Sequence, residues 1–266
     1  MTVAAALERA ARALEERGAP TPEVDAEWLL AHVLGTSRSG LRLRDGLSAE
    51  EEARFEGLVA RRARREPLAY VLGEWGFRGL TLRTDRRALV PRPETETVVE
   101  RCLALLAGRE APRVLDVGVG SGAIALALAQ ELPGARVTGV DVSEEALSLA
   151  RENAAATRLE VELRRAGLEA AAEGWDLVVS NPPYVAAEEL AALEPEVREW
   201  EPRGALVGQG LHEELARVAR TEWLVLEVGD GQAAPVASAL GETGYRDVRV
   251  TRDLSGRARV VEGRRA

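Results

Sequence analysis

The chain has 266 residues, 46% of them hydrophobic, so it is long enough for one large domain or for a medium domain joined to a small one. Its single cysteine, Cys102, excludes an internal disulfide and is typical of a reducing compartment. The longest apolar run, 123–129, is far too short to span a bilayer, so we expect a cytoplasmic protein without membrane contacts.

Charge is distributed unevenly along the chain, whose formal net charge is −9. Residues 1–90 are nearly neutral, whereas residues 91–266 hold 20 arginines against 30 aspartates and glutamates. Such an acidic region disfavours binding to a phosphate backbone and suits a basic partner, so we expect no direct nucleic-acid binding. We also expect the protein to be a monomer.

The first 70 residues predict a small helical domain. Helices are expected at 2–17, at 23–34 and from Ser48 to about residue 65, because each segment begins or ends with a capping or helix-breaking residue. Thr21 and Pro22 are a typical helix start. The arginines at positions 61, 62, 64 and 65 indicate a solvated helix face, and a docking patch is the alternative.

Residues 71–90 predict a β-hairpin that links these helices to the rest of the chain. Strand candidates at 80–82 and 88–90 flank a turn at Thr84 and Asp85. A further helix is expected at about 94–106. The predicted domains are thus a helical substrate-docking domain (1–70), a hairpin linker (71–90) and a catalytic domain (91–266).

Strands and helices alternate from residue 113 onward, which is typical of a parallel sheet with crossover helices. The strands are expected at 113–117, 136–140, 160–164, 175–179, 223–228, 245–250 and 257–262. The helices are expected at 122–131, 144–155, 211–220 and 232–242. We therefore predict an α/β fold with a Rossmann-like seven-stranded sheet, in which the last two strands form an antiparallel edge pair.

A glycine-rich turn, Gly118-Val119-Gly120-Ser121-Gly122, follows the first of these strands. Glycines let the backbone approach a ligand closely, and the first crossing of an α/β sheet is where nucleosides bind. Asp141 ends the next strand, where its carboxylate can accept hydrogen bonds from both hydroxyls of a ribose. The spacing also fits the dinucleotide fingerprint, and a purely structural turn with Asp141 capping a helix is a further alternative.

A rigid polar turn, Ser180-Asn181-Pro182-Pro183-Tyr184, follows the strand at 175–179. The prolines fix φ near −65° and donate no backbone hydrogen bond, and the residue before a proline is biased to an extended conformation. The Asn181 side-chain oxygen and the Pro182 carbonyl are then two fixed acceptors, with the Tyr184 ring beside them. They suit a planar NH2 group, whose two hydrogens need two acceptors. A loop that merely contains two prolines is the alternative.

Two features favour S-adenosylmethionine over NAD as the nucleoside ligand. Asp116 lies at the strand end before the glycines, where it suits a methionine ammonium and would repel a pyrophosphate. The Asn-Pro-Pro-Tyr turn is expected at the same carboxyl edge of the sheet as the glycine turn, because both follow parallel strands. No spacing of cysteine, histidine and carboxylate residues indicates a metal site.

Together these motifs resemble the HemK/PrmC family, methyltransferases that modify the glutamine of the Gly-Gly-Gln motif in class-1 peptide-chain release factors. The resemblance covers nearly the whole chain, and its most distinctive segment is Leu89-Val90-Pro91-Arg92-Pro93-Glu94-Thr95-Glu96. The domain junction (64–74), cofactor loop (115–125), substrate motif (179–185) and C-terminal segments (201–206 and 252–257) also match. Val119 replaces the family's usual threonine, and the segment after Leu206 is shorter. No acidic or aromatic side chain follows the third strand, so backbone near Gly167 is expected to contact the adenine.

The resemblance implies a release factor N5-glutamine methyltransferase that tunes translation termination with S-adenosylmethionine as methyl donor. The implied cofactor-binding residues are Asp116, Gly118, Val119, Gly120, Ser121, Gly122, Asp141, Asn181, Arg92 and Glu94. Asn181, Pro182 and Tyr184 are the implied catalytic residues, and with Pro183 they bind the glutamine. A structural salt link is the alternative for Arg92 and Glu94. An adenine-N6 methyltransferase of DNA or RNA, which shares the Asn-Pro-Pro-Tyr motif, is the alternative function, and the acidic charge disfavours it.

Overall fold

The computed structural model describes residues 1–265, which divide into two units. The first unit comprises Met1–Glu74 and Glu194–Trp200, and the second begins at Trp75, runs to Leu193 and resumes at Glu201. The first unit is helical. Its helices are α1 (Val3–Glu15), α2 (Pro22–Leu34), α3 (Ala49–Arg62), α4 (Leu68–Leu72) and, later in the chain, α8 (Pro195–Trp200).

Capping residues set the helix starts in the first unit. Ser48 and Glu51 form a capping box at α3, in which Ser48 Oγ accepts from the Glu51 N–H at 3.2 Å and the Glu51 carboxylate accepts from the Ser48 N–H at 2.7 Å. Pro22 is the first residue of α2, as predicted. Large apolar side chains of these helices, Leu14, Leu29, Leu30 and Phe55, are buried in the core of this unit.

The arginines near the end of α3 lie in an ion network. Arg62 is only 3% exposed; its guanidinium donates to Asp25 at 2.7 Å and pairs with Glu196 at 2.7 Å. Arg65 also binds Glu196, at 2.6 Å. The prediction of a solvated face is therefore wrong for Arg62. A buried guanidinium requires paired carboxylates. Here Asp25 and Glu196 supply them from distant parts of the sequence, so the residue pattern of α3 alone could not reveal the burial.

The β-hairpin is present, but its strands differ from the predicted pair. β1 (Glu74–Phe77) and β2 (Leu80–Arg83) form a two-stranded sheet. Arg78 and Gly79 join them with φ of 48° and 78°, the positive values that a two-residue hairpin turn of type I′ needs. The predicted strand at 80–82 is confirmed, and the one at 88–90 is wrong, because the tight turn at Arg78 pairs β2 with the segment before it.

The second unit contains a seven-stranded sheet, as predicted. The strand order is β5-β4-β3-β6-β7-β9-β8. The first five strands of this order run parallel, and β9 pairs antiparallel with both β7 and β8. The strands are β3 (Arg113–Val117), β4 (Arg136–Asp141), β5 (Glu162–Arg165), β6 (Trp175–Ser180), β7 (Thr221–Glu227), β8 (Arg246–Arg252) and β9 (Ala258–Arg264).

Helices cover both faces of this sheet, so its central strands are apolar on both sides. The helices are α5 (Glu96–Leu106), α6 (Ala123–Glu131), α7 (Glu144–Thr157), α9 (Arg203–Leu206), α10 (Leu211–Val218) and α11 (Ala233–Glu242). Side chains of α5, α6 and α7 join one core, and those of α10 and α11 join the other. None of the helices within residues 1–265 has the length and hydropathy needed to traverse a membrane.

Candidate active site

Four neighbouring parallel strands end at one edge of the sheet. In register, Val117 of β3 lies beside Val140 of β4 and beside Ser180 of β6, and Ser180 lies beside Leu226 of β7. The chain moves outward from β3 in both directions, which makes this edge the topological switch point where α/β sheets bind ligands. The Ser180 hydroxyl donates to the Val117 carbonyl oxygen at 2.7 Å and so ties the ends of β6 and β3 together.

The glycine turn folds back across the end of β4. The N–H groups of Gly118 and Val119 donate to the Val140 carbonyl oxygen at 2.8 and 2.9 Å. Gly118 and Gly120 have φ of 76° and 54°, conformations that other residues rarely adopt. The Val119 side chain packs over Gly139 so closely that a Cβ there would lie 2.6 Å from Val119 Cγ2. The Val119 side chain therefore packs against β4.

Asp141 fastens this turn to the start of α7. One carboxylate oxygen accepts from the Gly120 N–H at 3.0 Å, and the other accepts from the Ser143 N–H at 2.9 Å. Ser143 itself caps α7 by accepting from the Ala146 N–H at 3.2 Å. Each Asp141 oxygen keeps a second lone pair, so the structural role and ribose binding are compatible.

A cavity of about 490 Å³ opens at this edge, a volume typical of small-molecule sites. Its walls include segments 87–92, 117–121, 141–143, 166–168 and 180–183. The glycine turn, the strand-end aspartate and the Asn-Pro-Pro turn thus line one space, as the sequence predicted. Nowhere in residues 1–265 do three or more His, Cys, Asp or Glu side chains form a group that could bind a metal ion.

The predicted site residues divide into those on the cavity wall and those behind it. On the wall lie Arg92, Gly118, Val119, Gly120, Ser121, Asp141, Asn181, Pro182 and Pro183. Asp116, Gly122, Glu94 and Tyr184 do not line it. The Tyr184 ring packs on Gly229, where an added Cβ would lie 3.0 Å from it.

Asp116 is buried beneath the glycine turn and is 1% exposed. Its Oδ2 accepts from the Ala125 N–H of α6 at 3.1 Å, whereas Oδ1 has no hydrogen-bond partner among residues 1–265. Burial raises the pKa of Asp116 to about 7, and the nearby Asp141 charge adds to the rise. An acceptor left without a donor behind the turn fits a ligand with a cationic group, such as the ammonium of S-adenosylmethionine.

Arg92 lies on the cavity wall and takes part in a salt link. Its guanidinium pairs with the Glu201 carboxylate at 2.7 Å, and its role in cofactor binding stays a prediction. Burial raises the pKa of Glu201, while the Arg92 charge opposes the rise. Glu201 lies just before α9, and only the folded chain brings it to the Pro-Arg-Pro segment.

Sequence reasoning missed two buried side chains beside the Asn-Pro-Pro turn, Thr95 and Glu227. Thr95 is 4% exposed, lines the cavity and receives a hydrogen bond from Asn181 Nδ2 at 3.5 Å. Glu227 ends β7 and is 1% exposed. A glutamate inside the apolar strand predicted at 223–228 was the available signal, because buried carboxylates are rare unless they are paired.

Known proteins match the chain over nearly its whole length. Residues 5–73 match the family model described as the PrmC N-terminal domain, and residues 99–195 match the methyltransferase small domain. A release factor glutamine methyltransferase of Geobacter sulfurreducens is 42% identical over 264 residues, which cover 94% of this chain and 92% of the relative. One of Deinococcus radiodurans is 42% identical over 271 residues, with coverages of 98% and 97%.

Solved structures bear out the fold. The catalytic domain of hMettl16, in complex with the MAT2A 3′UTR hairpin 6, superimposes with a TM-score of 0.59 and covers 78% of this chain and 81% of its own. Its sequence identity is 18%, so the likeness concerns the fold alone. The predicted α/β methyltransferase fold is confirmed.

Proposed function

The chain belongs to the family of release factor glutamine methyltransferases, and on this premise we propose that it methylates the glutamine side-chain nitrogen (N5) in the Gly-Gly-Gln motif of class-1 peptide-chain release factors. S-Adenosylmethionine supplies an activated methyl group when it is bound. The observation that carries the proposal is that the Asn-Pro-Pro turn and the glycine turn line one cavity.

Residues on the β3 and β4 side of the cavity would hold the cofactor. Asp141 would accept the ribose hydroxyls, the backbone of 118–122 would approach the ligand closely, and Asp116 would meet the ammonium. Segment 166–168 lies on the cavity wall after β5, where backbone groups near Gly167 would contact the adenine. Arg92 would line the entrance, and Glu94, which lies off the cavity wall, would act from behind it.

We expect Asp141→Ala to weaken S-adenosylmethionine binding by about 10- to 100-fold, because hydrogen bonds to a charged acceptor contribute about 1.5–3 kcal/mol each. Isothermal titration calorimetry measures this change. Glu144→Ala is the matched control, since it removes a neighbouring exposed carboxylate that pairs with Arg151 and lies off the cavity wall. Equal affinities of the two variants would contradict the role of Asp141.

On the other side of the cavity, Asn181 and Pro182 would orient the substrate. The Asn181 side-chain oxygen and the Pro182 carbonyl would accept the two N–H bonds of the glutamine amide. Tyr184, which packs on Gly229 and does not line the cavity, would support the turn from behind. The orientation of the glutamine amide matters because its nitrogen is a poor nucleophile, whose lone pair must face the methyl group. The two acceptors also disperse the positive charge that develops on nitrogen. One N–H proton then leaves to water.

We further propose roles for the remaining parts of the chain. The helical region 1–70 would dock the release factor, with 71–90 as the linker to the catalytic region that begins at 91. The acidic charge of residues 91–266 would favour basic surface around the glutamine. The enzyme would act as a monomer in the cytoplasm, without direct nucleic-acid contacts.

Incubation with methyl-labelled S-adenosylmethionine and a purified class-1 release factor tests the proposed function. Mass spectrometry should place a single methyl group on the glutamine of the Gly-Gly-Gln motif. The same release factor with that glutamine replaced by glutamate is the control and should acquire no label. Label on other residues, or on neither protein, would overturn the proposal.

An oligonucleotide with accessible adenines, incubated in parallel, tests the adenine-N6 alternative. We expect no methyl transfer to it and only weak binding at low salt. Methylated adenine, together with an affinity that falls steeply as salt rises, would favour the nucleic-acid function instead.

A further inference from the structure

The two ends of the Asn181 carboxamide differ in chemistry, because the oxygen accepts hydrogen bonds and the NH2 donates them. Nδ2 lies 3.5 Å from the Thr95 hydroxyl oxygen, a long contact of the kind that shortens when an active site binds its substrate. The neighbouring hydrogen-bond donors and acceptors determine which side of an asparagine amide carries the oxygen and which carries the NH2. The groups that fix the Thr95 hydroxyl therefore decide which end of Asn181 faces the cavity.

Thr95 bridges Asn181 to a carboxylate. It is the last residue of a 3₁₀ turn, Pro93–Thr95, and its side chain lies near enough to the Glu227 carboxylate for hydrogen bonding between them to lower the pKa of Glu227 against the rise that burial causes. A hydroxyl has a single hydrogen, so a Thr95 that donates to a carboxylate has only lone pairs left for Asn181. Asn181 must then present its NH2, and its oxygen is left for a ligand.

Glu227 is placed for this role by the sheet. Ser180 pairs with Leu226 on two neighbouring parallel strands, so Asn181, just after the end of β6, follows Ser180 as Glu227, the last residue of β7, follows Leu226. The Glu227 carboxylate is 1% exposed, and its Oε2 finds no hydrogen-bond partner in the described part of the chain. An ionised carboxylate can only accept hydrogen bonds. The Thr95 hydroxyl therefore donates to Glu227, and the Asn181 NH2 donates to Thr95.

We propose that Thr95 and Glu227 are positioning residues that hold the Asn181 amide with its NH2 toward Thr95 and its oxygen toward the substrate. The identity of that substrate rests on the proposed function, whereas the orientation of the amide is a property of the protein alone. Protonation of Glu227 releases the constraint. A carboxylic acid can donate to Thr95, whose own hydrogen is then free to turn toward Asn181.

The release occurs near neutral pH. Burial raises the pKa of Glu227 to about 7, the Glu94 charge raises it further, and Arg259 and Arg92 oppose the rise. The other titratable groups near it are Tyr184, whose pKa is raised to about 12, and His212, whose ring lies 2.8 Å from the Glu227 carbonyl oxygen. Burial lowers the pKa of His212, which therefore titrates in a more acidic range.

Selective labelling makes the amide visible, because the chain has only two asparagines, Asn181 and Asn153. Protein grown with ¹⁵N-asparagine gives two side-chain NH2 signals. The Asn153 amide donates to the Ser121 and Arg83 carbonyl oxygens inside the fold and serves as an internal reference. We expect the Asn181 signal to shift with an apparent pKa near 7, without cofactor or substrate, while the Asn153 signal stays constant.

Three variants test which groups cause this shift. Glu227→Gln should abolish the titration of the Asn181 signal, which separates it from the nearby Asp116, whose pKa is also raised to about 7. Thr95→Val should reduce the titration strongly and Thr95→Ser should preserve it, because serine keeps the hydroxyl. An unchanged Asn153 signal certifies that each variant is folded. The proposal would be overturned if the chemical shift of the Asn181 NH2 did not change with pH in the parent protein, or if it still titrated in Glu227→Gln.

Kinetics provide a second readout. We expect Thr95→Val to lower kcat about tenfold with little change in KM for the release factor, and Thr95→Ser to stay within about threefold of the parent. Equal kcat values for Thr95→Val and the parent would also overturn the proposal. A parent protein that methylates no release factor would instead refute the proposed function, and the NMR titration would still decide the role of Thr95 and Glu227.

Discussion

Replacing Asn181 by alanine is expected to lower kcat for release-factor methylation by about 10²–10³-fold, the effect of removing one preorganised hydrogen-bonding group from a reacting centre. Alanine leaves the Pro182 carbonyl as a single acceptor for an amide that carries two hydrogens. The glutamine can then rotate, and its nitrogen lone pair faces the methyl group in only a small fraction of bound complexes. Initial rates with saturating cofactor and release factor measure the change.

Cofactor binding is the control for this variant. We expect the affinity for S-adenosylmethionine, measured by calorimetry, to change less than about threefold, because the Asp141 and glycine-turn side of the cavity is untouched. Asn181→Ala should also keep the parent's folded state, since its side chain is only partly buried and makes one long hydrogen bond. An Asn181→Ala enzyme that kept most of its turnover would show that another group orients the amide.

Strand and helix alternation after residue 113 was enough to predict the sheet, because buried parallel strands are continuous apolar runs that propensity recognises. The hairpin was harder to predict. Arg78-Gly79 lacks the asparagine or aspartate that usually marks a type I′ turn, so the pairing of β2 with the segment before it gave no local signal. Apolar residues at 88–90 instead line the cavity, which pattern alone cannot distinguish from a strand.

The candidate site was predictable to the extent that its residues follow strands. Asp141, the glycine turn and Asn181 could be assigned to one edge because parallel strands end together. Thr95 and Glu201 follow no strand, and they reach the site through the Pro93–Thr95 turn and the pairing with Arg92. Such contacts depend on tertiary placement. A sequence pattern therefore predicts the residues that contact the ligand better than it predicts the neighbouring side chains that position those residues.

Glu227 is expected to destabilise the folded protein at neutral and alkaline pH. Its pKa rises from 4.5 in the unfolded chain to about 7 in the fold, because burial disfavours the charged form. Between these values the folded state binds more protons than the unfolded state, so the free energy of unfolding falls as pH rises through this window. Above about pH 7 the full penalty applies, and at 1.36 kcal/mol per unit it amounts to roughly 3 kcal/mol.

Glu227→Gln should therefore raise the free energy of unfolding by up to roughly 3 kcal/mol at pH 8, and by progressively less toward pH 5. Urea denaturation at several pH values, without cofactor, measures the difference between variant and parent. Asp116 keeps its own buried carboxyl in both proteins, so its contribution cancels. A stability gain independent of pH would mean that Glu227 is not the titrating group. A variant that is more stable yet slower would indicate that the carboxylate is retained for the geometry of Asn181, since active sites commonly keep groups that lower stability.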